Sequence, residues 1–399
     1  MKDLILVLNC GSSSIKFSII DPINEIVYLH GEASSLNLHN SLIKWFIKNK
    51  VYSLDNKNFI SYNYAINYIC KKIFLKYNYK MFSKVIGIGH RVVNGGDLFK
   101  KSILINKDVI KNIEKCVCLA PIHNPLNLLG IRKFMDLFPK LKNNNVAVFD
   151  TSFHNNLPKR SYLYAIPTKF YNKHNIRKYG AHGINCLYIL KKVSTILKKK
   201  VRKINIIICH LGNGSSVSVI KNGICIDTSM GFTPLSGLIM GTRSGDIDPS
   251  IIFYMHENLK ISIKKIKYIL NNESGILGLN NKTSDFRYSE NRYNFSVVDK
   301  TTVEMFCYRL AKYISSYFFL IKKNIDAVIF TGGIGENSKL VRKITINHLN
   351  SLNFYIDKDK NNKIYKDFNF INKNNTIPIL VISANEEIVI AKDTFKIIS

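Results

Sequence analysis

Residues 209–250 read CHLGNGSSVSVIKNGICIDTSMGFTPLSGLIMGTRSGDIDPS, a stretch that joins a Gly/Ser loop to an arginine framed by glycines, Arg243. An apolar run before LGNGSS and alternating valines after it predict a strand on each side of the loop. Gly212 and Gly214 allow the backbone to turn its N–H groups inward, and Asn213 adds a side-chain donor, so the loop suits phosphate oxygens. An ordinary hairpin loop is the alternative while the motif is taken by itself.

Residues 4–29 repeat this order of strand, loop and strand. Strands 4–8 and 15–20 enclose the loop NCGSSS, and a turn at Asp21 leads to a third strand, as a turn at Asn222 does in the later copy. Two halves that each present a polar hairpin loop to a shared cleft can hold a polyphosphate from both sides. The repeat predicts an α/β protein of two duplicated domains with a nucleotide cleft between them. It favours a phosphotransferase or an ATP-gated clamp over a structural protein.

Composition narrows the function classes. The 399 residues include eight cysteines without a C-x-x-C pair, which is typical of reduced cytoplasmic thiols rather than disulfides or zinc ligands. No apolar run approaches the length of a membrane span, so we expect a cytoplasmic protein with no membrane partner. The net charge of +31 is spread through a chain rich in Asn and Ile without a groove-reading motif. Compositional drift is therefore favoured over nucleic-acid binding, although a basic surface suits anionic substrates.

The segment GHRVVNGGDLF carries the next candidate residues. His90 and Arg91 precede a short strand-like pair of valines, and an arginine beside Val93 is typical of a carboxylate anchor with a small apolar wall. A surface arginine fits this segment equally well. Further on, Asn124 is a candidate cap for a helix that begins at a proline, so His123 stands at a helix start, where a structural or a substrate-facing role fits.

Other candidates follow predicted strands. Asp150 ends the strand 146–149, and ligands of open α/β sheets collect at the carboxyl ends of strands. His182 precedes a helix, where it is either structural or directed at the ligand. A third loop, TGGIGEN, opens a helix after strand 327–330 and suits an adenosine or α-phosphate contact. Glu386 lies in the first turn of the last helix, where it complements the helix dipole or binds Mg²⁺.

The motifs together resemble those of the acetate kinase (acetokinase) family, which shares the actin, hexokinase and sugar-kinase superfold. They run in order from NCGSSSIKF through HRVVNGGDLF, APIHNPLNL, VFDTSFH, RKYGAHG, CHLGNGSSVS, ESGILGL and FTGGIGEN to NEEIVIAK. The resemblance implies an N-terminal domain of residues 1–149, closed by helix 387–399, and a nucleotide-binding domain of residues 150–386. It further implies direct in-line, reversible transfer of the γ-phosphoryl group of ATP to acetate, with Mg²⁺ or Mn²⁺, by a homodimer.

The resemblance also implies roles for individual residues. The catalytic residues are Arg91, His123, Asp150, His182 and Arg243. The nucleotide and phosphate contacts are Ser12, Ser14, Lys16, His210, Gly212, Asn213, Gly214, Asp285, Arg287, Gly333, Ile334, Gly335 and Asn337. The metal-linked residues are Asn9 and Glu386, and the substrate pocket is formed by Arg91, Val93, Ile122, Ala181 and Pro234.

A few positions depart from the family pattern. Asn94 and Asp97 stand where the family commonly has His and Glu, and neither removes a group with an assigned role. Ala181 stands where the family commonly has Phe, which would enlarge the acyl pocket. A propionate or other short-chain carboxylate kinase is therefore the alternative within enzymes. A non-catalytic ATP-gated clamp is the alternative from another class, and it has no need for Arg91 together with Arg243.

Overall fold

The computed structural model describes residues 3–11, 14–37, 40–55, 59–321, 325–363, 365 and 367–399. Its strands are β1 (Leu4–Cys10), β2 (Ile15–Asp21), β3 (Ile26–Ser34), β4 (Leu42–Ile47), β5 (Lys50–Asp55), β6 (Val85–Val92), β7 (Ile103–Leu104), β8 (Asn145–Phe149), β9 (Ile206–Leu211), β10 (Ser215–Lys221), β11 (Ile224–Thr228), β12 (Ala327–Thr331), β13 (Phe368–Phe370) and β14 (Ile379–Ile382). The chain divides into two compact units, residues 1–155 with 385–399 and residues 156–384.

The helices are α1 (Tyr62–Tyr68), α2 (Tyr79–Phe82), α3 (Lys107–Lys115), α4 (Asn124–Leu137), α5 (Lys159–Tyr162), α6 (Lys169–His174), α7 (Gly183–Ile196), α8 (Ser250–Glu257), α9 (Ile263–Tyr268), α10 (Gly275–Asn280), α11 (Phe286–Asn291), α12 (Val297–Ile321), α13 (Gly332–Asn337), α14 (Lys339–Asn347), α15 (Lys358–Asn362) and α16 (Glu386–Ile398). Two π-helical segments, Ile69–Tyr77 and Ile269–Glu273, continue α1 and α9. Short 3₁₀ helices cover Cys116–Leu119, Pro139–Asn144, Ser152–His154, Val201–Lys203 and Asn350–Leu352.

The first unit is built on an eight-stranded sheet with the order β5-β4-β3-β2-β1-β6-β8-β7. Strands β1 to β5 form an antiparallel meander, whereas β1, β6 and β8 run parallel. The central strand LILVLNC is almost entirely buried, and the helices α4 and α16 pack on it. The C-terminal helix α16 packs on β1, β6 and β8. Three predicted site residues, Asn9, Arg91 and Asp150, lie at or just after the carboxyl ends of these parallel strands.

The second unit is built on a six-stranded sheet with the order β11-β10-β9-β12-β14-β13. Its long helix α12 packs against β10 and β9 and supplies buried residues such as Phe306 and Leu310 to the core. The two sheets share one arrangement, in which an antiparallel meander (β3-β2-β1 or β11-β10-β9) is followed by two parallel strands (β6-β8 or β12-β14). The predicted α/β duplication is therefore confirmed.

Two local predictions, the position of His90 and Arg91 before a strand and the helix cap at Asn124, were wrong. The strand β6 continues through Val92, so His90 and Arg91 lie within the strand rather than before it, because Arg91 pairs with Val148 of the parallel neighbour. Asn124 is not the cap of α4; His123 occupies the capping position, and the Asn124 side chain is buried against the backbone of Asn94.

All eight cysteines are free, and only Cys118 is exposed. In the described ranges, none of the helices combines the length and the apolar character that crossing a bilayer requires.

Candidate active site

A buried arginine cluster lies at the ends of the parallel strands of the first unit. Arg91 donates from Nη2 to Asp150 Oδ2 at 2.6 Å and from Nε to Asp150 Oδ1 at 3.2 Å, and its Nη1 donates to Asn9 Oδ1 at 3.2 Å. Glu386 Oε2 lies 3.5 Å from Arg91 Nε. The strands β1, β6 and β8 and the start of α16 thus place four of the predicted site residues together.

The charges of this cluster depend on one another. Burial raises the pKa of the Asp150 carboxyl to about 6; Arg91 opposes this shift and Glu386 adds to it. Burial alone would lower the pKa of Arg91, but Asp150 and Glu386 outweigh burial and raise it. The Arg91 side chain keeps 17% of its surface exposed while Asp150 is fully buried. Asp150 therefore fixes the guanidinium plane, and the remaining exposed edge of Arg91 is able to meet an anion.

The first Gly/Ser loop adjoins this cluster. Asn9 and Lys16 are direct cross-strand partners on β1 and β2, so their side chains project from the same face of the sheet. The loop is closed by a hydrogen bond from Gly11 N to the Ser14 carbonyl oxygen at 2.8 Å. The predicted phosphate contact Ser12 lies outside the described residues.

Two buried asparagines of α4, which the sequence reading did not select for this purpose, support the cluster. Asn127 donates from Nδ2 to the Cys10 carbonyl oxygen at 2.7 Å and accepts from Val93 N at 3.1 Å. Asn124 accepts from Asn94 N at 3.1 Å and donates back to the Asn94 carbonyl oxygen at 2.8 Å. The helix α4 thereby fixes the ends of β1 and β6. The sequence signal for this role is the spacing of Asn124 and Asn127, which places two polar residues three positions apart on a buried face of the helix.

The other predicted residues of the first unit lie on the same helix and strand ends. His123 is the half-buried capping residue of α4, and its neighbour Ile122 is exposed. Val93 is buried directly after β6.

In the second unit, two histidines are stacked beside the LGNGSS hairpin. The rings of His182 and His210 lie 4.1 Å apart with an interplanar angle of 19°. His182 Nδ1 lies 3.0 Å from Ser216 Oγ, and His210 Nδ1 accepts a hydrogen bond from Asn185 Nδ2 at 2.8 Å. His182 caps α7 in the left-handed conformation, with φ 57°, which strains a non-glycine residue. The structure thus holds both imidazoles in fixed orientations.

Arg243 lies close to this pair. A Cβ added to Gly214 would lie 3.5 Å from His182 Nε2 and 3.7 Å from Arg243 Nη1, so the hairpin loop passes beside both side chains. Arg243 Nη1 donates to the Pro234 carbonyl oxygen at 3.2 Å. Burial lowers the pKa of the Arg243 guanidinium from its ordinary value. Arg243 and His182 therefore present a guanidinium and an imidazole to an anion bound at the hairpin loop.

The ESGILGL motif explains how the Arg243 loop keeps its shape. Ser274 N donates to the Thr242 carbonyl oxygen at 3.0 Å, and Ile276 N donates to the Met240 carbonyl oxygen at 2.9 Å. Gly275 has φ +62°, and a Cβ there would lie 2.1 Å from the Met240 carbonyl oxygen. Only glycine fits at this position. The motif is a structural support, which its sequence did not reveal.

A cavity of about 770 Å³ opens beside the same hairpin loop. Its lining includes seven of the predicted nucleotide contacts: Gly212, Asn213, Asp285, Arg287, Gly333, Ile334 and Asn337. Lining residues that the sequence reading missed include Met240, Gly241, Ile276, Phe286, Glu290 and Ser338. The volume is within the range of small-molecule and cofactor sites. The apolar wall and the polar rim suit a nucleoside.

The rim of this cavity carries an exposed ion pair. Arg287 Nη2 donates to Asp285 Oδ2 at 2.5 Å, and this contact is the main reason that the pKa of Asp285 is lowered. The Arg287 side chain is largely exposed at this rim, and a planar guanidinium is able to stack on an aromatic base. Gly335 is buried within α13 and does not line the cavity.

The predicted acyl-pocket residues of the second unit are near Arg243. Ala181 is buried in a small cluster with Met230 and Met240, and Met240 Sδ lies 3.9 Å from Arg243 Nη1. Pro234 contacts Arg243 through its carbonyl oxygen.

The first unit brings several side-chain oxygens together beside Arg91. Among the described residues, no three His, Cys, Asp or Glu side chains are grouped so that they could hold a metal by themselves. Mg²⁺ usually binds through one or two carboxylates together with substrate phosphates and water. The carboxylates of Asp150 and Glu386 and the amide oxygen of Asn9, all within reach of Arg91, fit that kind of site.

The duplicated sheets, the polar hairpin loops, and the cavity with its adjacent arginine define a nucleotide-dependent phosphotransferase. Comparison with known proteins agrees. A model of the acetokinase family matches residues 4–392. The chain therefore belongs to the acetokinase family, and it is a kinase; the resemblance seen in its motifs is confirmed.

Individual relatives cover nearly the whole chain. An acetate kinase of Buchnera aphidicola subsp. Baizongia pistaciae is 54% identical over 394 residues, which are 98% of each chain. A crystal structure of a propionate kinase from Francisella tularensis has a TM-score of 0.91 at 42% identity and covers 99% of both chains. A crystal structure of Porphyromonas gingivalis acetate kinase has a TM-score of 0.89 at 33% identity and covers 100% of both chains.

Proposed function

We propose that the chain is an acetate kinase, which transfers the γ-phosphoryl group of ATP reversibly to acetate. The observation that carries the proposal is the position of the LGNGSS hairpin. Gly212 and Asn213 line the 770 Å³ cavity, while Gly214 lies against His182 and Arg243. A nucleoside in the cavity would direct its phosphates along the hairpin to these two cationic or polar side chains.

The proposed chemistry requires alignment more than acid–base catalysis. A carboxylate is already a competent nucleophile, so no strong base is needed. Arg91, oriented by Asp150, binds the carboxylate of acetate, and Arg243 neutralises charge on the transferring phosphoryl group. His123, His182 and Lys16 add hydrogen bonds to phosphoryl oxygens. The rate enhancement then comes from positioning and charge neutralisation, as in other phosphoryl transfers.

We assign the metal to the carboxylate cluster. Asp150, Glu386 and Asn9 would hold Mg²⁺, directly or through water, with Mn²⁺ as an alternative because it accepts the same oxygen ligands. The bound cation would neutralise phosphate charge.

The remaining nucleotide contacts belong to the second unit. His210 and the loop residues Gly212, Asn213 and Gly214 would bind phosphates, and the cavity would bind adenosine. We keep the proposed division into an N-terminal domain of residues 1–149 and a nucleotide-binding domain of residues 150–386. Asp150 belongs to the first compact unit of the structure.

Acetate is the proposed acyl substrate, and propionate is the alternative. Ala181 alone would leave space for a longer chain, but Met230 and Met240 are buried against it. The relatives include an acetate kinase and a propionate kinase. We further propose a cytoplasmic homodimer that forms through exposed apolar side chains of α12 such as Tyr308 and Phe319.

Hydroxylamine trapping tests the proposal. The enzyme is incubated with ATP, Mg²⁺ and either acetate, propionate or butyrate, and acyl phosphate is measured as its hydroxamate. We expect hydroxamate with all active substrates and the highest kcat/KM for acetate. A higher kcat/KM for propionate would replace acetate by the alternative. ATP hydrolysis without any hydroxamate would support the ATP-gated clamp instead.

A further inference from the structure

The cavity wall formed by α13 needs support from outside the helix. This helix has only six residues, Gly332–Asn337, and a helix of that length has little stability of its own. It nevertheless contributes Gly333, Ile334 and Asn337 to the lining of the cavity. Its position against the ligand must therefore be set by tertiary contacts.

Arg342 of α14 supplies the largest of these contacts. It is 2% exposed, and its Nη1 donates to the carbonyl oxygens of Gly335 and Glu336, each at 2.8 Å. Its Nε donates to Asn361 Oδ1 at 2.7 Å, and its Nη2 donates to the Asn361 carbonyl oxygen at 3.1 Å. One planar guanidinium therefore joins the end of α13 to α15.

The charge of Arg342 is compensated in an unusual way. Within the part of the chain that the structure describes, this guanidinium donates no hydrogen bond to a carboxylate. The partners are carbonyl oxygens, two of them at the C-terminal end of a helix, where the helix dipole favours a cation. Burial lowers the pKa of Arg342 to about 10, so the side chain stays charged at neutral pH.

Glu336 holds the other end of the same helix. Its Oε1 accepts from Gly332 N at 3.0 Å and from Ala384 N, just after β14, at 2.9 Å. The carbonyl oxygen of the same residue accepts from Arg342. The helix is thus fixed at its first N–H by a carboxylate and at its last turn by a guanidinium.

We propose that Arg342 is a positioning residue for the nucleotide: through Gly335 and Glu336 it sets the α13 backbone against the bound nucleoside, with Asn361 holding the guanidinium in place. The inference rests on the proposed function only in assigning the 770 Å³ cavity to the nucleotide. Arg342 does not line that cavity, and it contacts α13 through backbone carbonyl oxygens. It acts on binding through the backbone that it holds.

This role predicts a particular kinetic pattern. Contacts to the adenosine part are present equally in the ground state and the transition state, so their loss weakens ATP binding without lowering kcat at saturation. The acetate KM is expected to stay unchanged because the carboxylate cluster belongs to the first unit. A merely structural Arg342 would lower the melting temperature and leave nucleotide affinity unchanged in the folded protein.

The test uses the full-length chain and three variants. Arg342→Lys keeps the charge but loses the planar fork, Asn361→Ala removes the Oδ1 that holds the guanidinium, and Arg202→Lys makes the same exchange at an exposed arginine of the same unit. The measurements are the Kd of a fluorescent N-methylanthraniloyl-ADP, the KM values for ATP and acetate, kcat, and the melting temperature. Binding is measured well below each melting temperature.

We expect Arg342→Lys to weaken binding of the fluorescent ADP and to raise the ATP KM by about tenfold or more. Asn361→Ala should change both quantities in the same direction. Arg202→Lys should match the wild type. Kcat and the acetate KM should change by less than about threefold. If Arg342→Lys fails to fold, Asn361→Ala decides. Unchanged ADP binding in the folded variants would overturn the inference, as would a wild type that binds no ADP. A wild type that binds ADP but forms no acyl phosphate would contradict the proposed function alone.

Discussion

At the scale of single residues, the two proposed catalytic arginines are held in different ways. Arg91 donates hydrogen bonds to both carboxylate oxygens of Asp150, and its third nitrogen, Nη1, donates to Asn9. Arg243 instead donates to a backbone carbonyl oxygen of Pro234 beside the hairpin loop. The two contacts with Asp150 fix the plane of the Arg91 guanidinium, which suits an anchor for the substrate carboxylate.

We expect Arg243→Ala to lower kcat by about 10³ or more, because an arginine on a transferring phosphoryl group acts mainly in the transition state. ATP binding, measured by titration, should remain close to that of the wild type. A large loss of ATP affinity with kcat preserved would instead assign Arg243 to the nucleotide site.

We expect Glu386→Ala to raise the Mg²⁺ concentration required for half-maximal activity and to lower kcat, with little change in melting temperature. The matched control is Glu387→Ala, in the same first turn of α16, whose carboxylate accepts from Ser18 Oγ. If Glu386 only complemented the helix dipole, its loss would cost about 0.3–1 kcal/mol of stability and leave the kinetics unchanged. Superimposable magnesium titrations for wild type and Glu386→Ala would establish that simpler role.

Acid should destabilise the first unit through His90. This buried imidazole donates to Asn145 Oδ1 at 2.7 Å, and burial lowers its pKa to about 4. Below the unfolded pKa of about 6.5, the unfolded chain takes up a proton that the folded chain does not. The free energy of unfolding should therefore fall by about 1.4 kcal/mol between pH 7.5 and 5.5 on this account.

Chemical denaturation of wild type and His90→Gln at both pH values measures this effect. The difference between the two proteins cancels other titrating groups such as Asp150, whose raised pKa acts in the opposite direction as the pH falls. Parallel pH dependences for the two proteins would rule out His90 as the source.

At the scale of elements, the cavity wall is assembled from short loops that support one another. Gly241 N donates to the Asn213 carbonyl oxygen at 2.9 Å, which joins the Arg243 loop to the LGNGSS hairpin. A Cβ at Gly241 would lie 1.7 Å from Asn213 Oδ1. The hairpin and the arginine loop are therefore fitted closely to each other.

We expect Gly241→Ala to displace the Asn213 side chain and to lower kcat/KM for ATP by about tenfold or more, because misplacement by about 1 Å is costly in an aligned site. The control makes the same substitution in an Asn213→Ala background, which lacks the amide that the added methyl would meet. Steady-state kinetics with a melting curve for each variant make the comparison. An equal effect of Gly241→Ala in both backgrounds would contradict the close fit.

The sequence predicted elements where local chemistry determines them. Alternating valines and the glycines of LGNGSS are sufficient for the hairpin β9–β10, and the turn at Asn222 and Gly223 has the left-handed angles that these residues favour. It did not predict the roles of Asn124, Asn127 or Gly275. Their function depends on backbone groups that are distant in sequence, which composition and periodicity do not reveal.

At the scale of the whole molecule, the duplication was visible in the sequence because each copy repeats a strand, a glycine-containing loop and a strand. The cavity was not visible, since its lining comes from segments between Gly212 and Ser338 that no local pattern connects. The resemblance to the acetokinase family supplied seven of the lining residues. The proposed roles of those residues remain predictions.

Assembly is a prediction at the same scale. Tyr308 is 57% exposed and Phe319 is 68% exposed on α12, and burial of such side chains against a second copy would stabilise a homodimer. Light scattering at micromolar concentration should give twice the mass of the 45.7 kDa chain. The double variant Tyr308→Ser, Phe319→Ser should shift the mass toward the monomer, whereas a monomeric wild type would refute the proposal.

The proposed phosphoryl transfer is tested most directly by ³¹P nuclear magnetic resonance of the purified enzyme with ATP, Mg²⁺ and acetate. We expect the γ-phosphorus signal of ATP to decrease as acetyl phosphate and ADP appear, and we expect ADP with acetyl phosphate to regenerate ATP. Formation of inorganic phosphate alone, at a rate that does not depend on acetate, would contradict it.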